Sequence, residues 1–183
     1  TGELMKYNVK DKIALISGKF QTFTSPSGYI ESNKQLMFND NTNKAQAIGN
    51  VKIILSNGKI NADSTYLEFK GHQIKMAKIS GSSQRQATIE FQRQEKTQIT
   101  LATADRIDYD FDAAMIDFSG KVSIMEDGNQ ISSDYLVYNL KKQTIQAQSN
   151  SQDNPKVKIT YTPRVTLSEK KNQTQIDSNG IEQ

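Results

Sequence analysis

The side chains that could do chemistry are few and are badly placed for it. Cysteine is absent, which excludes disulfides, thiol nucleophiles and thiolate metal sites. The single histidine, His72, follows Lys70-Gly71 in a turn signal and has no second imidazole to work with. It reads as a solvated turn residue. Asp105, Asp108, Asp110 and Asp112 form an acidic run that invites a calcium reading. That run interleaves with Ile107, Tyr109 and Phe111 and carries no glycine, so it fits the wet face of a strand better than an ion loop. No pair of carboxylates can be assigned to a cleft, so glycoside hydrolysis lacks its two groups. Arg85, Arg93 and Lys96 flank a long polar stretch and could meet an anionic, phosphate-bearing ligand, although exposed cations are ordinary on any hairpin tip. No catalytic residue, metal or cofactor is expected.

The elements that must carry these residues repeat about every 30 residues, the length of a stacked strand unit. Each copy runs through an alternating strand with an aromatic, a polar turn, a glycine step and a second strand. The glycine step reads Ile16-Ser17-Gly18-Lys19-Phe20, Ile48-Gly49-Asn50-Val51 and Phe118-Ser119-Gly120-Lys121-Val122, with a looser copy at Ile79-Ser80-Gly81-Ser82. The aromatic strands are Asn33 to Phe38, Asp63 to Phe69, Asp105 to Phe111 and Asp134 to Leu140. Proline is missing between Ser27 and Asn154, so no position there is barred from a strand ladder. Asn57-Gly58 and Asp127-Gly128 are type I′ hairpin signals. No stretch has a helical apolar period beyond one turn, and Gln143 to Gln148 reads as a strand. Gln84 to Lys96 reads as a longer hairpin with a projecting tip.

Composition agrees with a sheet that is wet on one face. Hydrophobic residues make up 35% of the chain and the formal net charge is +3, from 23 basic and 20 acidic residues. Charge this balanced gives no nucleic-acid footprint. No apolar run approaches the length of a membrane span. One domain is expected over residues 1–163, with 1–27 as an extra repeat-like segment and 164–183 as a polar, disordered tail.

Taken in order, several of these segments carry a resemblance. Tyr29-Ile30-Glu31-Ser32-Asn33, Ile48-Gly49-Asn50-Val51 with Gly58-Lys59-Ile60-Asn61-Ala62-Asp63, Ile107-Asp108-Tyr109 through Val122, and Ile131-Ser132-Ser133-Asp134 to Ala147 follow a shared pattern. From Tyr29 to Asn150 the chain resembles the OstA-like domain family of periplasmic lipopolysaccharide transport proteins, above all its LptA type. The segment Leu4 to Ser27 precedes the family's opening motif and reads as a further copy, which keeps LptC-like and LptD-like relatives open.

The resemblance implies an all-β fold: a twisted antiparallel β-jelly roll, or β-taco, with an open groove. It also implies lipopolysaccharide, through its lipid A, as the ligand. An LptC-like inner-membrane partner, an LptD-like outer-membrane partner, end-to-end self-association and a periplasmic location follow from the same source. A carrier of this kind has a physical rationale. Exposing an acyl chain of about a dozen methylenes costs on the order of 10 kcal/mol at ~0.8 kcal/mol per methylene. An inner face of alternating apolar residues would shelter it. Alternation selects Ile30, Leu36, Phe38, Ile53, Leu67, Phe69, Ile89, Tyr109, Phe111, Phe118, Ile124, Leu136 and Tyr138 for that face, and Ile30, Ile89 and Tyr109 fall where the resemblance also places groove residues. The competing readings are a packed β-solenoid scaffold or adhesin module and, more weakly, a glycan-active enzyme on a β-helix. The candidate edges are Leu4 to Phe20 and Thr144 to Tyr161, where unpaired strand groups invite strand addition.

Overall fold

The computed structural model describes residues 1–25, 28–92, 99–148 and 157–160. Strands are the only regular elements among them. The first are β1 (Leu4–Asn8), β2 (Ile13–Ser17), β3 (Gln21–Ser25), β4 (Gly28–Ser32) and β5 (Gln35–Asn39). Long strands β6 (Lys44–Leu55) and β7 (Gly58–Lys70) follow, then β8 (Gln73–Ser80), β9 (Ala87–Gln92), β10 (Ile99–Ala104) and β11 (Arg106–Asp110). The last described strands are β12 (Met115–Glu126), β13 (Asn129–Asn139), β14 (Thr144–Gln148) and β15 (Lys158–Thr160).

All pairings are antiparallel, and each long strand serves two half-sheets. The first part of β6 pairs β5 and its second part pairs β4. Strand β12 divides itself likewise between β11 and β10. Strand β7 meets β9 with its start and β8 with its end, and β13 meets β15 and β14 in the same way. One half-sheet therefore runs β1-β2-β5-β6-β7-β8-β11-β12-β13-β14. The other runs β3-β4-β6-β7-β9-β10-β12-β13-β15. Their inner faces pack against each other, and the protein is a twisted antiparallel β-jelly roll, creased like a taco.

The glycine steps make the crease. Gly49 and Asn50 both have positive φ (84° and 42°), as do Gly120 and Lys121 (76° and 48°). At these points the register slips between Ile48 and Val51 and between Ser119 and Val122. Extra residues on one strand bend it without ending it, as in a β-bulge. The sequence pattern suggests separate hairpin units; in the structure the step lies inside the continuous strands β6 and β12. Backbone bonds across the crease keep them continuous: Asn33 N–H donates to Gly49 O (2.8 Å) and Asp105 N–H to Gly120 O (2.8 Å).

The far ends of the strands, at the rim of the first half-sheet, close with a repeated turn. Asn8, Asn39, Asp110 and Asn139 each accept a backbone N–H three residues on, from Asp11, Thr42, Ala113 and Lys142. The turns end on Lys12, Asn43, Ala114 and Gln143, all at positive φ between 51° and 55°. This short side-chain-to-backbone bond accounts for the Asn or Asp on which β1, β5, β11 and β13 end. Asp127-Gly128 has positive φ at both positions, as a type I′ turn requires. Asn57-Gly58 does not, which corrects that expectation. Gly58 instead opens β7 opposite β9, where a Cβ would come within 2.5 Å of Glu90 O. Close approach, not turn geometry, fixes the glycine there.

Candidate functional site

Alternation places one side-chain set of every strand in the fold's interior, and cross-strand register joins them into rows. In the second half-sheet the row is Phe23, Ile30, Ile53, Ile60, Ile89, Ala102, Ile124, Ile131 and Ile159. In the first half-sheet one row runs Ala14, Phe38, Ala45, Leu67, Ala77, Tyr109, Ile116, Tyr138 and Ile145. Nearer the crease lies Leu36, Ala47, Thr65, Ile79, Ile107, Phe118, Leu136 and Ala147. Such rows suit β-branched and aromatic residues, which pack well on a pleated face.

The residues selected from sequence divide by depth. Ile30, Leu36, Ile53, Leu67, Ile89, Phe118, Ile124, Leu136 and Tyr138 are buried core. Phe38, Phe69, Tyr109 and Phe111 are only half-buried and stand toward the rim. Aromatic contacts cross between the half-sheets: Phe23 stacks on Phe38 at 6.2 Å, and Phe91 meets Tyr138 at 5.6 Å. Tyr109 and Phe111 stack at 3.8 Å, and Phe38 meets Phe69 edge-on at 6.0 Å.

Between these rims a cleft of about 390 Å³ opens. Leu55, Ile60, Ile89 and Phe91 line it from one half-sheet, and Tyr109, Ile116 and Leu140 from the other. That volume lies within the roughly 300–1,000 Å³ of ordinary ligand pockets. Leu55, Ile60, Phe91, Ile116 and Leu140 were not among the residues selected from sequence. Alternation carries a signal for Ile60 and Ile116, one step along from Ala62 and Phe118, but nothing local marks Leu140 as facing Phe91's strand.

Electrostatics keep charge outside the fold. Glu31 pairs with Lys52 at 3.4 Å, Lys59 with Glu90 at 3.6 Å and Arg106 with Asp108 at 3.1 Å. Burial raises the Tyr109 hydroxyl pKa above the ordinary tyrosine value. Tyr135 is also raised, chiefly because its hydroxyl donates to Asp117 at 2.9 Å. No cluster that could hold a metal ion occurs among the described residues. The acidic run is divided: Asp108 and Asp110 lie on the outer face of β11, and Asp105 sits at the crease, where Gln86 Nε2 donates to its carboxylate at 3.2 Å.

Of the expected cationic group, only Arg85 is among the described residues. The β9–β10 hairpin forms, but Arg93 and Lys96 lie outside the described residues. Arg85 precedes that hairpin at the crease, and its guanidinium donates to Asn50 Oδ1 (3.0 Å) and Ala62 O (3.1 Å). There it ties the β6 bulge to the neighbouring strand.

This geometry agrees with the comparisons with known proteins. The family model for the LptA and LptD N-terminal domain, described as an LPS transport protein, matches residues 29–144. The chain belongs to this LptA/LptD N-terminal domain family. A solved structure of LptH, the LptA-homologous periplasmic component of the lipopolysaccharide transport device of Pseudomonas aeruginosa, superimposes with a TM-score of 0.61. The two chains are 15% identical, and the match covers 86% of this chain and 100% of LptH. At that identity the likeness speaks for the fold. No curated protein matches the chain. The family match begins at Tyr29, so β1, β2 and β3 lie ahead of it. They extend the architecture nonetheless: β2 adds to β5 in one half-sheet and β3 to β4 in the other.

Proposed function

We propose that this LptA/LptD-family chain is a non-enzymatic periplasmic carrier that holds the acyl chains of lipopolysaccharide between its half-sheets. The sugar headgroup stays outside the rim. The observation that carries the reading is the pair of apolar inner rows, which flank a cleft along the rim and run out to both ends of the sheet. At the first end Met5, Tyr7 and Phe23 are exposed on β1 and β3, and at the last end Ile159 is exposed on β15. Soluble domains normally blunt such edges. Left open, they suit strand addition to a second copy, to an LptC-like protein on the inner-membrane side and to an LptD-like protein on the outer-membrane side. Apolar rows would then continue from one subunit to the next. Arg93 and Lys96 remain candidates for phosphate contact, while Arg85 is already engaged at the crease.

A photoreactive phenylalanine analogue at Phe69 or Tyr109 should crosslink to lipopolysaccharide, and one at the outward Lys78 should not. Absence of crosslinks from both rim positions, with the protein folded, would remove the carrier reading. Rods that lengthen with concentration, and that shorten in Met5→Asp/Tyr7→Asp, are expected by light scattering. A strict monomer that also ignores an LptC-like partner would contradict the bridging role. Dense packing of Ile79, Ile107 and Phe118 favours the second reading, a closed scaffold module. The same crosslinking separates the two.

A further inference from the structure

The looser glycine step, Ile79-Ser80-Gly81-Ser82, does not bend a strand. It opens the 81–86 loop, which carries the chain from β8 in one half-sheet to β9 in the other. The loop folds tightly on itself. Ser82 N–H donates to Arg85 O at 2.7 Å, Arg85 N–H donates to Ser82 Oγ at 3.2 Å, and a Cβ on Gly81 would come within 2.5 Å of Arg85 O. Gly81 N–H also donates to Asp105 O at 2.9 Å, which fixes the loop to the joint between β10 and β11. In the sheet order the loop sits midway along the crease. On one side lie β7 and then β6, and on the other lie the β10–β11 joint and then β12. Strands β6 and β12 are the two that bulge. The last two side chains of the loop reach them in opposite directions. Arg85 donates to Ala62 O on β7 (3.1 Å) and to Asn50 Oδ1 in the β6 bulge (3.0 Å). Gln86 Nε2 donates to Asp105 Oδ1 (3.2 Å) and to Gly120 O (3.4 Å) and Lys121 O (3.0 Å) in the β12 bulge.

We infer that the 81–86 loop is a clasp that couples the two bulges, so that the half-sheets change their angle at β6 and at β12 together. Arg85 and Gln86 are its positioning residues. The planar fork of a guanidinium can hold two acceptors on neighbouring strands at once, and its charge strengthens both bonds. A sharper bend at β6 moves Asn50, and Arg85 carries that movement into the loop. The loop is too tightly bonded to absorb it. Gln86, next in the chain, passes it to Gly120 and Lys121. Groups joined in one hydrogen-bond network respond as a unit in this way, whereas independent ties would not. The coupling rests on the fold alone, and its use rests on the carrier reading above: the cleft would widen along its whole length at once, not from one end.

Paired spin labels on the full chain, read by double electron–electron resonance without lipid, test the coupling. The chain has no cysteine, so labels attach only where thiols are introduced. Thr42→Cys/Ser56→Cys places them in the turns at the two ends of β6, and Ala113→Cys/Met125→Cys places them near the two ends of β12. Each pair reads the bend of one strand and is expected to give one narrow distance while the clasp is intact. Arg85→Ala removes only the β6-side bonds, yet it should broaden both distributions. Gln86→Ala removes only the β12-side bonds and should also broaden both. Arg85→Lys keeps the charge and can hold one acceptor, so it should broaden both less. Asn50→Gly makes the same cut as Arg85→Ala with little risk to the fold, because glycine takes the positive φ of Asn50 without strain. It should broaden the β12 pair, which it does not touch. Broadening confined to the strand whose bonds were removed would overturn the inference and leave two local ties. Unchanged distances in Arg85→Ala and Asn50→Gly would overturn it as well. Lipopolysaccharide binding is measured apart from this: coupled distances in a protein that binds no lipopolysaccharide would support the clasp and remove the carrier reading alone.

Discussion

Single residues decide where the strands bend. Gly120 combines φ of +76° with a neighbour that leaves no room: an added Cβ would approach Asp105 Oδ2 to 2.5 Å. Gly71, in the β7–β8 turn, has φ of +61° but nothing within 4 Å. The expected costs separate accordingly. Gly71→Ala should lose about 1 kcal/mol, the strain of a left-handed alanine, whereas Gly120→Ala should lose roughly 2–3 kcal/mol because Asp105 must also move. Urea unfolding measures both, and equal losses would mean that the crease does not depend on this close approach. Tyrosine ionisation gives a second test at this scale. Tyr109 and Tyr135 titrate above the ordinary value in the folded protein. Folding therefore favours their neutral forms. That contribution is fully present below about pH 10, the unfolded value, and is lost as the pH rises through the elevated folded values. Stability should fall above pH 10, and the fall should be shallower in Tyr109→Phe. Identical slopes would contradict the burial assigned to that hydroxyl.

Among the elements, the isoleucine row of the second half-sheet carries the packing and ends in the open. Ile53 is 1% exposed in mid-row and Ile159 is 69% exposed at its last strand. Truncating a buried isoleucine costs about 2–5 kcal/mol, while an exposed one changes stability by about ±0.5 kcal/mol. Ile53→Ala should sit in the first range and Ile159→Ala in the second, measured by thermal unfolding. Comparable losses would mean that β15 is packed rather than an open edge. These rows were largely legible in the sequence, because a period of two survives in Ile107-Asp108-Tyr109 and Leu136-Val137-Tyr138 whatever the topology. The strand partners were not. A Gly-Asn or Gly-Lys pair looks like the joint between two hairpin strands, and only long-range pairing reveals that β6 and β12 pass through it. Phe38 and Leu136 share an alternating pattern, so their different depths could not be told apart either. Depth depends on what the opposite half-sheet lays over each position, as Phe91 does over Tyr138 and the exposed Phe23 over Phe38, and no local signal encodes that partner. Arg85 was misplaced for a related reason: a polar run ahead of a hairpin reads as its tip unless the crease it fastens is known.

At the scale of the whole molecule, the two half-sheets share their long strands at the crease and meet elsewhere through side chains. The packed interior and the cleft at the rim are consistent with a jaw whose hinge is the line of bulges. The backbone change needed to admit a chain would then concentrate at Gly49 and Gly120, as hinge closures concentrate change in a few residues, and the displacement would be largest at the rim. The absence of cysteine makes the jaw simple to lock, because introduced thiols have no competitors. Phe91 and Leu140 line the cleft from opposite half-sheets. A double variant, Phe91→Cys/Leu140→Cys, bridged by a short bismaleimide, should melt no lower than the same variant with its thiols capped singly and should bind lipopolysaccharide at least about tenfold more weakly than that capped form, or about 1.4 kcal/mol. If the bridged protein loads lipopolysaccharide as well as the capped one, the half-sheets need not part, and the acyl chains must lie along the outside of the rim rather than between the inner rows.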